Sequence, residues 1–198
     1  ARNHWGRAGV KRKSAARSAQ GELMARTLEN RSDVIAAMRR AVLKNLERLA
    51  ELAVQETGMG RKQDKVLKNR VAGELTPGVE DLQPVTFSND HGLTLVERAP
   101  YGVVGSITPS TNPTESIISN AIGMISAGNS VVFNPHPSAR RVSAFTIDFL
   151  NLAIFNLPIC GQQARQLETH MLYEGDLSLY SGFRHPRGWD RGSVRQFL

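Results

Sequence analysis

The sequence has a single cysteine, Cys160, among its 198 residues. A lone cysteine cannot form an intrachain disulfide, so the chain suits a reducing compartment. No apolar run reaches the length of about 20 residues that spans a bilayer, and no signal-peptide hydrophobic region follows the basic N-terminal residues. These absences exclude a disulfide-rich secreted scaffold and predict a cytoplasmic protein with no membrane partner.

Acidic residues are absent from residues 1–20, which hold six of the 25 Lys and Arg residues. Most of the net charge of +7 lies there, because residues 21–157 carry fourteen basic and fourteen acidic residues. A nucleic-acid site needs a folded basic patch with aromatic residues nearby, and this segment offers only Trp5. We therefore expect residues 1–20 to be a disordered basic leader, with no nucleic-acid partner.

The G-x-G-x-x-G fingerprint is also missing after every predicted strand, so dinucleotide binding cannot be inferred from it. Instead, an apolar strand over residues 103–107 leads through a polar, proline-bracketed turn into a helix that begins near Pro113. A second apolar strand, residues 130–133, leads into a similar turn over residues 134–138. Parallel strands with a crossover helix place both turns at one sheet edge, where open α/β sheets bind ligands.

Apolar periodicity predicts the other elements. Residues 27–57 repeat apolar side chains at three- and four-residue spacing, which indicates one long amphipathic helix. Helices are also predicted over residues 64–75 and 139–156, and residues 93–98 alternate like a strand with one solvated face. After the last helix the periodicity fades and no element is predicted. The fold class is α/β, with a partial doubly wound sheet.

Four motifs follow one another along the chain. They are Glu56-Thr57-Gly58-Met59-Gly60, Thr76-Pro77-Gly78-Val79-Glu80-Asp81-Leu82, the segment from Pro100 to Glu115, and the segment from Ala127 to Pro137. Together they closely resemble the CoA-acylating branch of the aldehyde dehydrogenase superfamily, of the type found as propionaldehyde and acetaldehyde dehydrogenases of bacterial microcompartments. The resemblance covers residues 21–156 and implies the N-terminal part of a Rossmann-like NAD-binding domain.

The resemblance implies an enzyme that oxidises a small aldehyde with NAD through a cysteine thioester and transfers the acyl group to coenzyme A. It also implies a cytoplasmic or microcompartment location. Family members form homo-oligomers through a later segment that this chain does not match. A non-catalytic nucleotide-binding or microcompartment assembly protein is the alternative.

In the resembling family, the first turn lines the cofactor cleft beside the nicotinamide and the reacting carbonyl. The matching residues are Thr108, Pro109, Ser110, Thr111, Asn112, Pro113 and Thr114. Asn112 is the candidate oxyanion donor, although Thr111 takes the equivalent place if the turn is aligned on its prolines. The second turn, with Asn134, His136 and Pro137, corresponds to the segment that meets the adenosine half of the cofactor. No metal site is expected.

Other readings compete at single residues. His136 is equally consistent with a turn histidine bonded to backbone, and Glu56 and Lys65 are predicted to lie on solvated helix faces. Cys160 loosely resembles the family's nucleophile segment but is read as an unrelated thiol, so the chain alone is expected to be inactive. Residues 157–198 match nothing in the family, which suits a frameshifted or truncated gene product, a domain-boundary fragment or a diverged short protein.

Overall fold

The computed structural model describes residues 7–155, 157 and 171–173. The helices are α1 (Arg7–Met24), α2 (Leu28–Lys44), α3 (Leu46–Thr57), α4 (Lys62–Leu75), α5 (Pro113–Ser126) and α6 (Arg140–Phe155). The strands are β1 (Val85–Asn89), β2 (Gly92–Val96), β3 (Val103–Thr108), β4 (Ser130–Pro135) and β5 (Met171–Tyr173). Short 3-10 helices cover Val79–Leu82 and Pro137–Ala139. No helix of the described part is long and apolar enough to cross a bilayer.

The α/β class is confirmed by a parallel sheet in the order β3-β4-β5. β3 and β4 pair in parallel from Val103 opposite Ser130 to Thr108 opposite Pro135, with α5 as the predicted crossover helix. β5 adds a third parallel strand, with Val131 opposite Met171. This strand lies in the segment for which the sequence predicted no element. Three residues are too few to show a periodicity in sequence.

The predicted disordered leader is wrong for residues 7–20, which form most of α1. Ala16, Ala19 and Leu23 are buried, and the Ser130 hydroxyl donates to the Ala16 carbonyl at 2.8 Å. The high density of basic residues drew attention away from this narrow face of small side chains at three- and four-residue spacing. Residues 1–6 lie outside the described residues.

The single helix predicted over residues 27–57 is two helices that meet at Asn45. The Asn45 side chain is buried and donates to the Ala41 carbonyl at 3.1 Å. Asparagine competes for backbone hydrogen bonds in this way, which favours a helix end over a helix interior. α3 then ends at Gly58, whose φ of 66° lies in the left-handed region that glycine adopts without strain.

The hairpin β1–β2 differs from its prediction because all ten of its residues are exposed. Its antiparallel register places Val85 opposite Val96 and Ser88 opposite Leu93. Leu93 and Leu95 are 70% and 54% exposed. The alternation along residues 93–98 is therefore that of a strand, but within the described structure neither of its faces is buried.

The core forms around α5, which is packed by the sheet and by α2, α4 and α6. Its apolar face is fully buried together with Phe133 of β4. The buried residues of α5 are Ile117, Ile118, Ala121, Ile122 and Ile125. The helices α2, α3 and α4 thereby form a layer beside α5, and this layer reaches both turns at the sheet edge.

The docking of α1 can be tested with Ala19→Glu. The substitution places an unpaired carboxylate in a closed contact, and we expect the free energy of unfolding to fall by about 2 to 4 kcal/mol. Urea denaturation followed by circular dichroism measures the change. Arg17→Glu is the control, because Arg17 is exposed on the same helix and should change stability by less than about 0.5 kcal/mol. Equal effects of both substitutions would contradict a docked α1.

Candidate active site

The first turn joins the end of β3 to the start of α5. Pro113 occupies the first helical position, where its fixed φ suits the helix and its missing N–H costs nothing. The candidate residues of this turn differ in exposure. Pro109 and Thr111 are exposed, Ser110 and Asn112 are half-buried, and Thr108, Pro113 and Thr114 are buried.

The second turn follows β4 and leads through a 3-10 helix into α6. Asn134, His136 and Pro137 are exposed. The His136 Nδ1 accepts a hydrogen bond from the Ser138 backbone N–H at 3.2 Å and lies 2.7 Å from the Ser138 hydroxyl. The interpretation of His136 as a turn histidine bonded to backbone is therefore confirmed.

The two turns are joined directly by their backbones. The His136 N–H donates to the Thr108 carbonyl at 3.0 Å, one residue beyond the paired strands. This bond confirms the prediction that both turns lie at the same edge of the sheet. All the exposed candidate residues are consequently on the same side of the molecule as the carboxyl ends of β3 and β4.

A buried asparagine fixes the opposite end of the same strands. The Asn129 Oδ1 accepts from the backbone N–H groups of Tyr101 and Gly102, at 2.6 and 2.9 Å. The Ser130 N–H donates in turn to the Gly102 carbonyl at 2.9 Å. These bonds tie the start of β3 to the start of β4, so the register that aligns the two turns is set before the strands begin.

The two candidate oxyanion donors are hydrogen-bonded to each other. The Thr111 hydroxyl donates to the Asn112 Oδ1 at 2.7 Å, and the Asn112 Nδ2 donates to the Ser116 Oγ at 3.0 Å. A hydroxyl has one hydrogen and a side-chain amide has two. Thr111 has thus used its only hydrogen, whereas Asn112 keeps a second N–H with no acceptor among the described residues.

Lys65 contradicts its prediction as a solvated residue. It is only 2% exposed, and its Nζ donates to the Thr111 carbonyl at 2.8 Å. Gly60 lies over the side chain, since a Cβ built there would be 3.5 Å from the Lys65 Cε. The lysine therefore links α4 directly to the first turn.

Glu56 also contradicts its prediction as a solvated residue. Its two carboxylate oxygens accept from the Arg141 and Val142 backbone N–H groups, at 2.8 and 2.6 Å. These N–H groups belong to the first turn of α6, where a negative charge is stabilised by unpaired backbone donors and by the helix dipole. Glu56 therefore fixes the helix that follows the second turn.

The region around the first turn contains buried polar atoms without partners among the described residues. They are the Thr108 Oγ1, the Glu115 Oε1 and both side-chain polar atoms of Asn69, which lies one helical turn after Lys65 on α4. The second oxygen of Glu115 accepts from the Thr114 hydroxyl at 3.0 Å. Unsatisfied buried polar groups are rare in folded proteins and are typical of functional regions.

The motif from Thr76 to Leu82 has a structural role. The Arg39 guanidinium donates to the Thr76 carbonyl at 2.8 Å and to the Glu80 carboxylate at 2.7 Å. The hydrogen bond from Arg39 lowers the pKa of Glu80 below its ordinary value. Gly78 is required by this packing, since a Cβ there would lie 2.6 Å from the Glu80 carboxylate.

Sequence reasoning missed Lys65 because charged residues surround it on α4. The small residues Ala72 and Gly73 were the available signal, since they indicate the packed face of the helix. Counting back along that face in steps of three and four residues reaches Asn69 and then Lys65. Cys160, the remaining thiol candidate, lies outside the described residues.

Residues 10–158 match the Aldehyde dehydrogenase family. The chain is 53% identical over 140 residues to an acetylating acetaldehyde dehydrogenase of Bilophila wadsworthia (strain 3_1_6), a match that covers 71% of this chain and 28% of that protein. The structure of Rhodopseudomonas palustris propionaldehyde dehydrogenase with bound propionyl-CoA matches with a TM-score of 0.74 and 43% identity, over 82% of this chain and 35% of that one.

A propionaldehyde dehydrogenase from the Clostridium phytofermentans fucose utilisation bacterial microcompartment matches with a TM-score of 0.71 and 42% identity, over 81% of this chain and 35% of that one. The chain thus spans about a third of the length of these relatives. The match begins at residue 10, within α1 and before the point from which the motifs predicted it. The fold, the order of the motifs and these matches agree that the chain belongs to the aldehyde dehydrogenase family.

Proposed function

We propose that this chain provides the cofactor-side wall of a CoA-acylating aldehyde dehydrogenase site, with Asn112 as the oxyanion donor. The complete reaction converts an aldehyde, NAD and coenzyme A into an acyl-CoA and NADH. The observation that carries the proposal is the second amide hydrogen of Asn112, which has no acceptor among the described residues. It lies in a half-buried turn at the sheet edge.

The chemistry needs a donor at the place where negative charge develops. When a thiolate attacks an aldehyde, the carbonyl oxygen becomes an alkoxide, and a preorganised N–H stabilises it more in the transition state than in the ground state. The bonds from Asn112 to Thr111 and Ser116 hold the amide before substrate arrives. A donor held in this way costs little reorganisation when the reaction occurs.

The remaining candidates fit a cofactor laid across the sheet edge. The exposed atoms of Ser110 and Thr111 would line the nicotinamide half, and Asn134, His136 and Pro137 the adenosine half. The buried Thr108, Pro113 and Thr114 support the turn from below rather than contact a ligand through their side chains. NAD, when bound, would supply the hydride acceptor, and coenzyme A the acyl acceptor.

The substrate class and location follow from the relatives. Proteins named for acetaldehyde and propionaldehyde suggest a short aldehyde as the substrate of this chain. The Clostridium phytofermentans protein is described as coming from a microcompartment. We therefore propose the cytoplasm, or a microcompartment within it, as the location, and a non-catalytic assembly role as the competing function.

The first prediction concerns the 198-residue chain itself. We expect it to produce no NADH from propionaldehyde, NAD and coenzyme A, because its single thiol, Cys160, stands in a segment that does not match the family's nucleophile. Absorbance of NADH at saturating substrate measures this. Activity that is abolished by Cys160→Ser would contradict the prediction and identify Cys160 as the nucleophile. Activity that survives that substitution would contradict it through a different nucleophile.

The second prediction separates Asn112 from Thr111 in a working enzyme. Residues 21–155 of this chain would replace the matching segment of the Rhodopseudomonas palustris enzyme. In this chimera we expect Asn112→Ala to lower kcat by about 100-fold to 1,000-fold, as removal of one oxyanion donor does elsewhere. The matched control is Thr111→Val, which removes a hydroxyl whose hydrogen is already used and should change kcat by only a few-fold.

The outcomes of the chimera test are distinct. A larger loss with Thr111→Val than with Asn112→Ala would assign the donor role to Thr111. An active chimera that tolerates both substitutions would reject the proposed role of the turn. A folded but inactive chimera would favour the non-catalytic function.

A further inference from the structure

We propose that Lys65 is a positioning residue of this site, which holds the Asn112 amide in place through the Thr111 carbonyl. The inference rests on the proposed function only where it concerns cofactor binding. The contact itself joins two helices and a turn that are 46 residues apart in sequence. Nothing in the resemblance to the family assigns a role to this lysine.

The environment of Lys65 argues against a role in stability alone. The side chain is 2% exposed, and its hydrogen bond is to a neutral carbonyl rather than to a carboxylate. A buried ammonium loses its hydration, and one carbonyl replaces little of it. An apolar side chain of similar length would fill the same space without this cost. The retained charge therefore indicates a role that methionine could not perform.

The Thr111 carbonyl is well placed to transmit that role. It belongs to the peptide group that leads into Asn112, so the direction of this carbonyl sets the orientation of the Asn112 backbone. Planarity of the peptide group couples the two. Asn112 has no hydrogen bond from its side chain to the α5 backbone. The lysine thus supplies a fixed point that the helix cap does not supply.

The packing around Lys65 restricts the ammonium to this position. Gly60 has a φ of 77° and lies against the lysine stem. Asn69 and Ala72 continue the same buried face of α4. The long, flexible side chain is thereby confined, and much of the rotamer entropy it would otherwise lose on binding the carbonyl is already lost on folding.

The test uses the complete chain and a spectroscopic probe of one peptide group. Thr111-Asn112 is the only Thr-Asn pair in the sequence. Labelling threonine with ¹³C at the carbonyl and asparagine with ¹⁵N therefore gives one cross-peak that correlates the Thr111 carbonyl with the Asn112 N–H. A carbonyl that loses a hydrogen bond to an ammonium shows a change in its ¹³C chemical shift, so this peak reports the proposed contact directly.

Lys65→Met removes the donor and keeps the length of the side chain. We expect the ¹³C shift of Thr111 to move upfield, while the thermal midpoint holds or rises because a buried charge is gone. Lys65→Arg keeps a cationic donor and should restore part of the shift. The matched control is Lys68→Met, since Lys68 is exposed on the same helix and should leave the peak unchanged.

Titration with NAD on the same peak links the contact to the site. If the wild-type peak responds to NAD, we expect the dissociation constant to rise by about tenfold in Lys65→Met, the factor that corresponds to the loss of one hydrogen bond to a charged group. Lys65→Arg should stay within about threefold of the wild type. An unchanged Thr111 shift in folded Lys65→Met, or an unchanged affinity for NAD, would overturn the inference.

Failure of the two proposals can be told apart. A wild-type chain that does not bind NAD would count against the proposed function, while the Thr111 shift in Lys65→Met would still decide whether the lysine holds the turn. If Lys65→Met does not fold, Lys65→Arg decides alone. A Thr111 shift that is identical with ammonium and guanidinium donors would then overturn the contact, and a changed shift would support it.

Discussion

The parallel pairing of β3 with β4 is the constraint on which the site depends. Asn129 ties the starts of the two strands together, and the bond from the His136 N–H to the Thr108 carbonyl closes their ends. Between these points the register admits no slip, because a shift of one residue would turn Val131 and Phe133 out of the core. Two turns that are more than twenty residues apart are thus held side by side. Neither turn could form this edge alone, since each has only a short polar segment of its own.

The layer of α3 and α4 then fixes both turns from outside the sheet. Glu56 binds the start of α6 after the second turn, and Lys65 binds the carbonyl of the first. The two residues flank the Gly58-Met59-Gly60 segment, whose glycines both have positive φ. This explains why a glycine-rich motif far from the sheet belongs with the site. It turns the chain sharply enough for a carboxylate and an ammonium of opposite roles to reach two different turns.

Much of this arrangement could be predicted from sequence, and the failures have physical causes. The strand, turn and helix from Val103 to Ser126 were predictable because apolar runs, prolines and a terminal glycine are local signals. The sharing of one edge by the two turns followed from the handedness and shortness of connections in α/β sheets. By contrast, α1 and β5 gain their stability from packing on β4, and Lys65 and Glu56 reach partners 46 and 85 residues away. No spacing within a helix encodes a partner in a distant turn.

The choice between Thr111 and Asn112 illustrates what hydrogen-bond stoichiometry adds to a family resemblance. Alignment on the prolines favours Thr111, whereas residue type favours Asn112, and the sequence leaves the two equal. In the structure they are donor and acceptor of one bond, so the hydroxyl hydrogen is used internally. An exchange of the amide oxygen and nitrogen would not remove a free N–H from Asn112, because the amide has two hydrogens and one other contact, with Ser116. Thr111 therefore acts on the site through Asn112 and through the carbonyl that Lys65 holds, and the residue that a proline-based alignment selects is the support of the donor rather than the donor itself.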